Sequence, residues 1–148
     1  MKREHQKRIM LCAISLFAGF FLIMCAGEPT KISSHQAEDE FSRMERRINE
    51  GKGYPKAKDE LFLSRGFFYV LSPEGLLLIH PNSLFIGGDF SNVRSVREII
   101  THDRGNVTAE EGGIRRKIFY ARLRDGNYLC LSINSEDFIP DQPSDNGK

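Results

Sequence analysis

Residues 66–92, GFFYVLSPEGLLLIHPNSLFIGGDFSN, decide the fold. Their first part, 66–72, is aromatic and β-branched, the composition of a strand. Pro73, Glu74 and Gly75 supply turn chemistry and residues 76–80, LLLIH, resume the apolar run, so the pair predicts an antiparallel hairpin. Phe67, Tyr69 and Leu71 share one parity, Phe68 and Val70 the other, and both sets are apolar. A sheet open to water on one side alternates apolar with polar residues. This hairpin is therefore expected to be covered on both faces. Pro81-Asn82 and Gly87-Gly88 make the next stretch irregular, and Val93, Val96 and Ile100 predict a short helix within 92–102. Residues 81–102 are thus the candidate cover for one face. A sheet beneath such a loop-and-helix flap is a natural place for a small-ligand cavity.

Upstream, Ala37, Phe41, Met44 and Ile48 form one apolar stripe and predict an amphipathic helix over 34–50, with Ser33 and Gln36 placed for a capping box. The Gly-Pro-rich residues 51–55 end it. The stripe suits cover for the second sheet face, and its heptad-like spacing also suits a homodimer seam. Downstream, three more strands are expected at 106–111, 114–123 and 128–133, separated by Gly112-Gly113 and Asp125-Gly126-Asn127. The polar stretch that follows, with Pro140 and Pro143, reads as a disordered tail. The fold class is α+β.

The N-terminus carries a different message. MKREHQKR is basic and is followed by the uncharged run MLCAISLFAGFFLIMCA, residues 10–26. That is the pattern of a signal peptide or signal anchor, at about 17 residues the short limit of a membrane-spanning helix. The basic flank should stay cytoplasmic and place everything after Gly27 outside. Leu22-Ile23-Met24-Cys25 resembles a bacterial lipobox, which makes Cys25 a lipidation candidate, although Met24 stands where that pattern has a small residue. Lipoprotein, uncleaved anchor and cleaved secreted protein are the three readings. The expected organisation is 1–27 signal or anchor, 28–33 linker, 34–134 one folded domain and 135–148 tail, in the envelope of a bacterial cell.

Bulk properties exclude several classes. A chain of 148 residues with net charge +1 has room for one domain and no charge excess that points to nucleic acid. Its cysteines, Cys12, Cys25 and Cys130, make neither a disulfide framework nor a zinc motif. No Gly-x-Ser-x-Gly, His-Glu-x-x-His or phosphate loop occurs, so neither an enzyme nor a bound cofactor or metal is expected.

The order of long helix, hairpin, flap and three antiparallel strands resembles the extracytoplasmic Cache sensor domains, relatives of the PAS fold, and most closely their single-Cache type. The residues that carry the resemblance are Phe67 to Leu71, the turn Pro73 to Gly75, His80-Pro81-Asn82, Gly87-Gly88-Asp89, and Lys117-Ile118-Phe119-Tyr120, which matches the family's Lys-x-x-Tyr. The resemblance implies a five-stranded antiparallel sheet and a small extracytoplasmic metabolite, often a short organic acid, as ligand. It also implies a pocket-facing role for Tyr120. The chain departs from the family in having no tryptophan.

Candidate ligand contacts are Tyr120, His80, Lys117, Arg116, Arg115 and Tyr69. His80 before Pro81 could bond a carboxylate at the flap mouth, and arginines bind such groups in bidentate fashion. Lys117 lies three positions before Tyr120, which in a regular strand sends it to the opposite face. The expected function is a tethered small-molecule-binding sensory module that reports through a partner membrane protein. The alternative is a structural or interaction lipoprotein with the same fold and no ligand.

Overall fold

The computed structural model describes residues 31–56, 61–62 and 65–139. The apolar segment and Cys25 lie outside the described residues. The chain divides into units 1–30 and 31–148, and only the second is described below. Its elements are α1 (Ser34–Asn49), β1 (Leu61–Phe62), β2 (Gly66–Leu71), β3 (Leu77–Ile79), α2 (Arg94–Thr101), β4 (Arg104–Glu111), β5 (Ile114–Arg122) and β6 (Tyr128–Asn134). Two 3-10 turns, Ser83–Phe85 and Ser135–Asp137, complete them. The strands form one antiparallel sheet in the order β1-β2-β6-β5-β4, with β3 also paired to β2. The five expected strands are present. The sixth, β1, is two residues long, too short to show any period in sequence.

Both faces of the sheet are covered. Phe68, Val70, Phe119, Ala121, Leu129, Leu131 and Ile133 face α1, where Ala37, Phe41 and Met44 are only 0%, 3% and 2% exposed. Burying a side chain the size of Phe41 or Met44 is worth about 1.5–3 kcal/mol, so this layer is a major stabilising core. Ile48 packs at its edge. The stripe is therefore spent inside the domain, which corrects the expectation that it forms a homodimer seam. The capping box is present, with the Gln36 backbone N–H donating to Ser33 Oγ at 3.1 Å and the Ser33 N–H to Gln36 Oε1 at 3.0 Å. Arg104 pins α1 over β4 through Glu45 at 2.6 Å.

On the other face, Tyr69, Leu71, Ile118, Tyr120, Tyr128 and Cys130 meet Leu77, Val96 and Ile99. Here the helix differs from its sequence reading. Val93 is the extended N-cap residue and outside the helical stripe, so Val96 and Ile99 face inward and Ile100 is only partly buried. The Tyr128 hydroxyl donates to the Ile100 carbonyl at 3.1 Å and ties α2 to the central strand.

The domain is also longer at both ends than expected. Ile32, placed in the linker, is 1% exposed, and its N–H donates to the Asp137 carbonyl at 2.7 Å. Ile139 N–H returns a bond to the Ile32 carbonyl at 2.9 Å, and Arg65 pairs with Asp137 at 3.0 Å. Residues 135–139 are thus structured. Their polar composition concealed a backbone pairing that depends on the distant Ile32.

Candidate functional site

The flap and the sheet border a half-open cavity of about 480 Å³. Phe67, Tyr69 and Leu71 of β2 and Leu77 of β3 form its floor, His80, Phe85, Phe90 and Val93 its flap wall, Val96 of α2 its back, and Gly112 and Arg116 its far rim. The one-parity set Phe67, Tyr69 and Leu71 is what turns the hairpin into a floor. The volume lies within the usual range for small-ligand sites, and so does the recipe of a mainly apolar lining with a few polar groups.

His80 stands at the centre of an aromatic cluster, with ring centroids 5.1 Å from Phe67, 6.2 Å from Tyr69 and 5.4 Å from Phe85. The Asn82 backbone N–H donates to its Nδ1 at 3.0 Å, which fixes the ring against the turn that Pro81 begins. The Asn82 carbonyl oxygen lies 3.2 Å from the same Nδ1, so both backbone groups of Asn82 hold this edge of the ring. Across the cavity, the Arg116 guanidinium lies 5.2 Å from the centroid of Phe67. Behind this corner, β6 brings Ser132 and Asn134 into register with Phe67 and Arg116. Ser132 Oγ and Asn134 Oδ1 are buried and have no hydrogen-bond partner among the described residues.

The flap is fastened at its base and exposed at its tip. Gly87 N–H donates to the Leu77 carbonyl at 2.7 Å, Leu77 N–H to Gly88 at 3.0 Å, and Phe90 N–H to Gly75 at 3.0 Å. Asp89 Oδ1 accepts from the Ser91 N–H at 2.9 Å, and hydrogen bonds from Ser91 hold its carboxyl below the ordinary range. Between these pins the backbone bonds of the Ser83–Phe85 turn are local, and Leu84 at its tip is 87% exposed.

The sequence candidates divide among three places. His80, Arg116 and Tyr69 line the cavity. Tyr120 is on the same face but is buried at 4% exposure under α2, with its hydroxyl in the space that glycine leaves at Gly105. Burial, and then the charge of Glu98, push that phenol above its ordinary pKa. Arg115 and Lys117 are on the opposite face in a separate groove. Of the other lining residues, Phe67 and Val96 stand in the sequence reading only as strand and helix positions, and Phe85 and Phe90 have no role in it. Their signal was the two-sided apolar pattern together with an apolar flap. No group of His, Cys, Asp and Glu that could hold a metal occurs among the described residues. No described helix is long and apolar enough to cross a membrane.

No protein-family profile and no curated protein matches the chain. Solved structures do. Each of the following is a ligand-binding domain. The Pseudomonas aeruginosa amino acid chemoreceptor PctB, in complex with L-Gln, is 19% identical over 71% of this chain with a TM-score of 0.46. The ligand-binding domain of Mlp24 with asparagine is 16% identical over 64% of the chain, TM-score 0.40. That of the Pseudomonas fluorescens chemoreceptor CtaA with L-alanine is 20% identical over 49%, TM-score 0.37. The matches span 40%, 35% and 34% of those chains, respectively.

Proposed function

We propose that this chain is an extracytoplasmic, Cache-like sensory module whose flap cavity binds a small, mainly apolar metabolite. The observation that carries the reading is the cavity of about 480 Å³ between β2 and the flap. Its wall would clasp an apolar body. Its polar corner of His80 and Arg116 would receive a hydrogen-bonding or carboxylate head. Occupancy would be felt by the flap, because Phe85 and Phe90 belong to both the wall and the loop that carries it. The module is tethered at its N-terminus, by residues 10–26 as an uncleaved anchor or by a lipidated Cys25, and acts through a partner membrane protein.

Thermal unfolding of residues 31–148 against short and medium-chain carboxylates, aromatic acids and amino acids tests this. A ligand binding only the native state at 100 times its dissociation constant adds about 2.7 kcal/mol. In a domain of this size each kcal/mol is worth roughly 4–8 °C. A rise of that order, abolished by Phe67→Ala, supports the sensor. No rise across the panel in a folded domain overturns it.

A second reading, an interaction lipoprotein without a ligand, draws on the flap tip, where Leu84, Phe85 and Ile86 are 87%, 47% and 46% exposed. Clustered exposed apolar side chains mark contact surfaces. The same panel separates the two readings.

A further inference from the structure

On the α1 face of the sheet, an open groove of about 410 Å³ lies among the start of α1, the β4–β5 hairpin and the Ser135–Asp137 turn. Three cations, Lys31, Arg115 and Lys117, line it with the hydroxyls of Ser34, Thr108 and Ser135, against one described carboxylate, Glu136. Lys117 is held in place: its Nζ donates to Ser34 Oγ at 3.2 Å and stands 5.3 Å and 5.2 Å from the centroids of Phe119 and Phe138. None of the three cations forms an ion pair among the described residues. By contrast the partly buried Arg65 is matched to Asp137 at 3.0 Å.

We propose that this groove binds the phosphate of an anionic phospholipid headgroup. Cations lining one groove with hydroxyl groups suit an oxyanion, and the positive end of α1 adds to the same field. The choice of a lipid comes from the covalent chain, and it rests on reading residues 10–26 as a membrane segment. Lys31 is five residues beyond Ala26 in sequence, so a chain held at that segment keeps lipid headgroups at high local concentration around this domain.

The test uses the full chain in bilayer discs of phosphatidylcholine, with or without about a third phosphatidylglycerol. Amide hydrogen exchange is followed at residues 34–36, 115–117 and 135–138. Several-fold slower exchange only in the anionic discs, lost in Lys31→Gln/Arg115→Gln and weakened by salt, is the expected result. Equal exchange in both discs overturns the proposal. The same slowing by inorganic phosphate in phosphatidylcholine discs overturns the lipid as the source. A chain that enters neither disc overturns the membrane-segment reading instead, and the lipid assignment falls with it.

Discussion

Arg116 and Lys117 are adjacent in β5 and serve opposite faces of the sheet, Arg116 over Phe67 at 5.2 Å and Lys117 over Phe119 at 5.3 Å. One peptide bond therefore separates the flap cavity from the basic groove. Alternation along a strand makes this unavoidable, since successive side chains point to opposite sides.

The two sites should accordingly respond to different arginines. With a cavity ligand found by the thermal panel, Arg116→Gln is expected to reduce the ligand-induced rise in melting temperature by at least half. Arg115→Gln, one residue earlier and on the groove side, should leave it unchanged. A charge-assisted hydrogen bond is worth about 1.5–3 kcal/mol, so the loss of affinity should be about tenfold or more. Equal effects of the two substitutions would show that the cavity does not discriminate between them.

How much of this was legible follows from the range of the interactions involved. The α1 stripe, the capping box and the hairpin turn are local, and their spacing in sequence is their spacing in space. The same holds for the opposed parities of Phe67 and Phe68, which announced a sheet covered on both sides. Tyr120 shows the limit. Its parity was readable, but whether α2 or open cavity lies above it depends on where the flap crosses the sheet. The pairing of Ile32 with residues 137–139 joins the two ends of the domain, and no local pattern encodes it. Arg115 and Arg116 could be named as anion-binding types, but one strand parity sends them to different sites.

Ser132 offers a test of the cavity's polar corner. Its hydroxyl is buried at 1% exposure without a partner, and such a group costs about 1–3 kcal/mol in desolvation. Ser132→Ala should therefore be neutral or stabilising by up to about 1 kcal/mol, unlike most core changes. Urea unfolding measures this. A clear loss of stability would mean that an ordered water or another group satisfies the hydroxyl in solution.

The Tyr54–Asp125–Asn127 cluster contributes to the acid limb of stability. Burial opposes the charge on Asp125, but hydrogen bonds from the Tyr54 hydroxyl and from Asn127 outweigh it and hold the carboxyl below its ordinary pKa. A depressed folded pKa contributes stability above the unfolded value, about 3.9, and loses it as pH falls through the folded value. Burial and the hydrogen bond to Asp125 raise Tyr54, whose contribution is present below about 10 and lost above it. Asp125→Asn should therefore flatten the fall in stability below about pH 4 and, by removing a partner that helps raise Tyr54, also soften the loss of stability above about pH 10. Denaturation at a series of pH values compares the two proteins, and identical acid limbs would remove Asp125 from this role.

Gly75 couples the hairpin turn to the flap. It sits at φ +87°, and a Cβ there would lie 2.9 Å from Ser91 Cα, so a side chain is excluded by backbone conformation and by space together. Its carbonyl accepts the Phe90 N–H at 3.0 Å, one of the pins that close the cavity. Ser72 completes the turn, its hydroxyl accepting from the Glu74 and Leu76 N–H groups, each at 3.2 Å. Gly75→Ala must therefore either strain the turn or push the Ser91 backbone away. Strain at such a position costs about 1–3 kcal/mol. The sheet register between β2 and β6 lies outside the turn and should survive, so the damage should fall on the flap. The expected signature is a modest loss of global stability with much faster amide exchange at Gly88 and Phe90, while Leu129 and Leu131 exchange only by global unfolding. If Phe90 exchange kept pace with that of the core strands, the flap would be part of the cooperative core and could not report occupancy of the cavity by moving on its own.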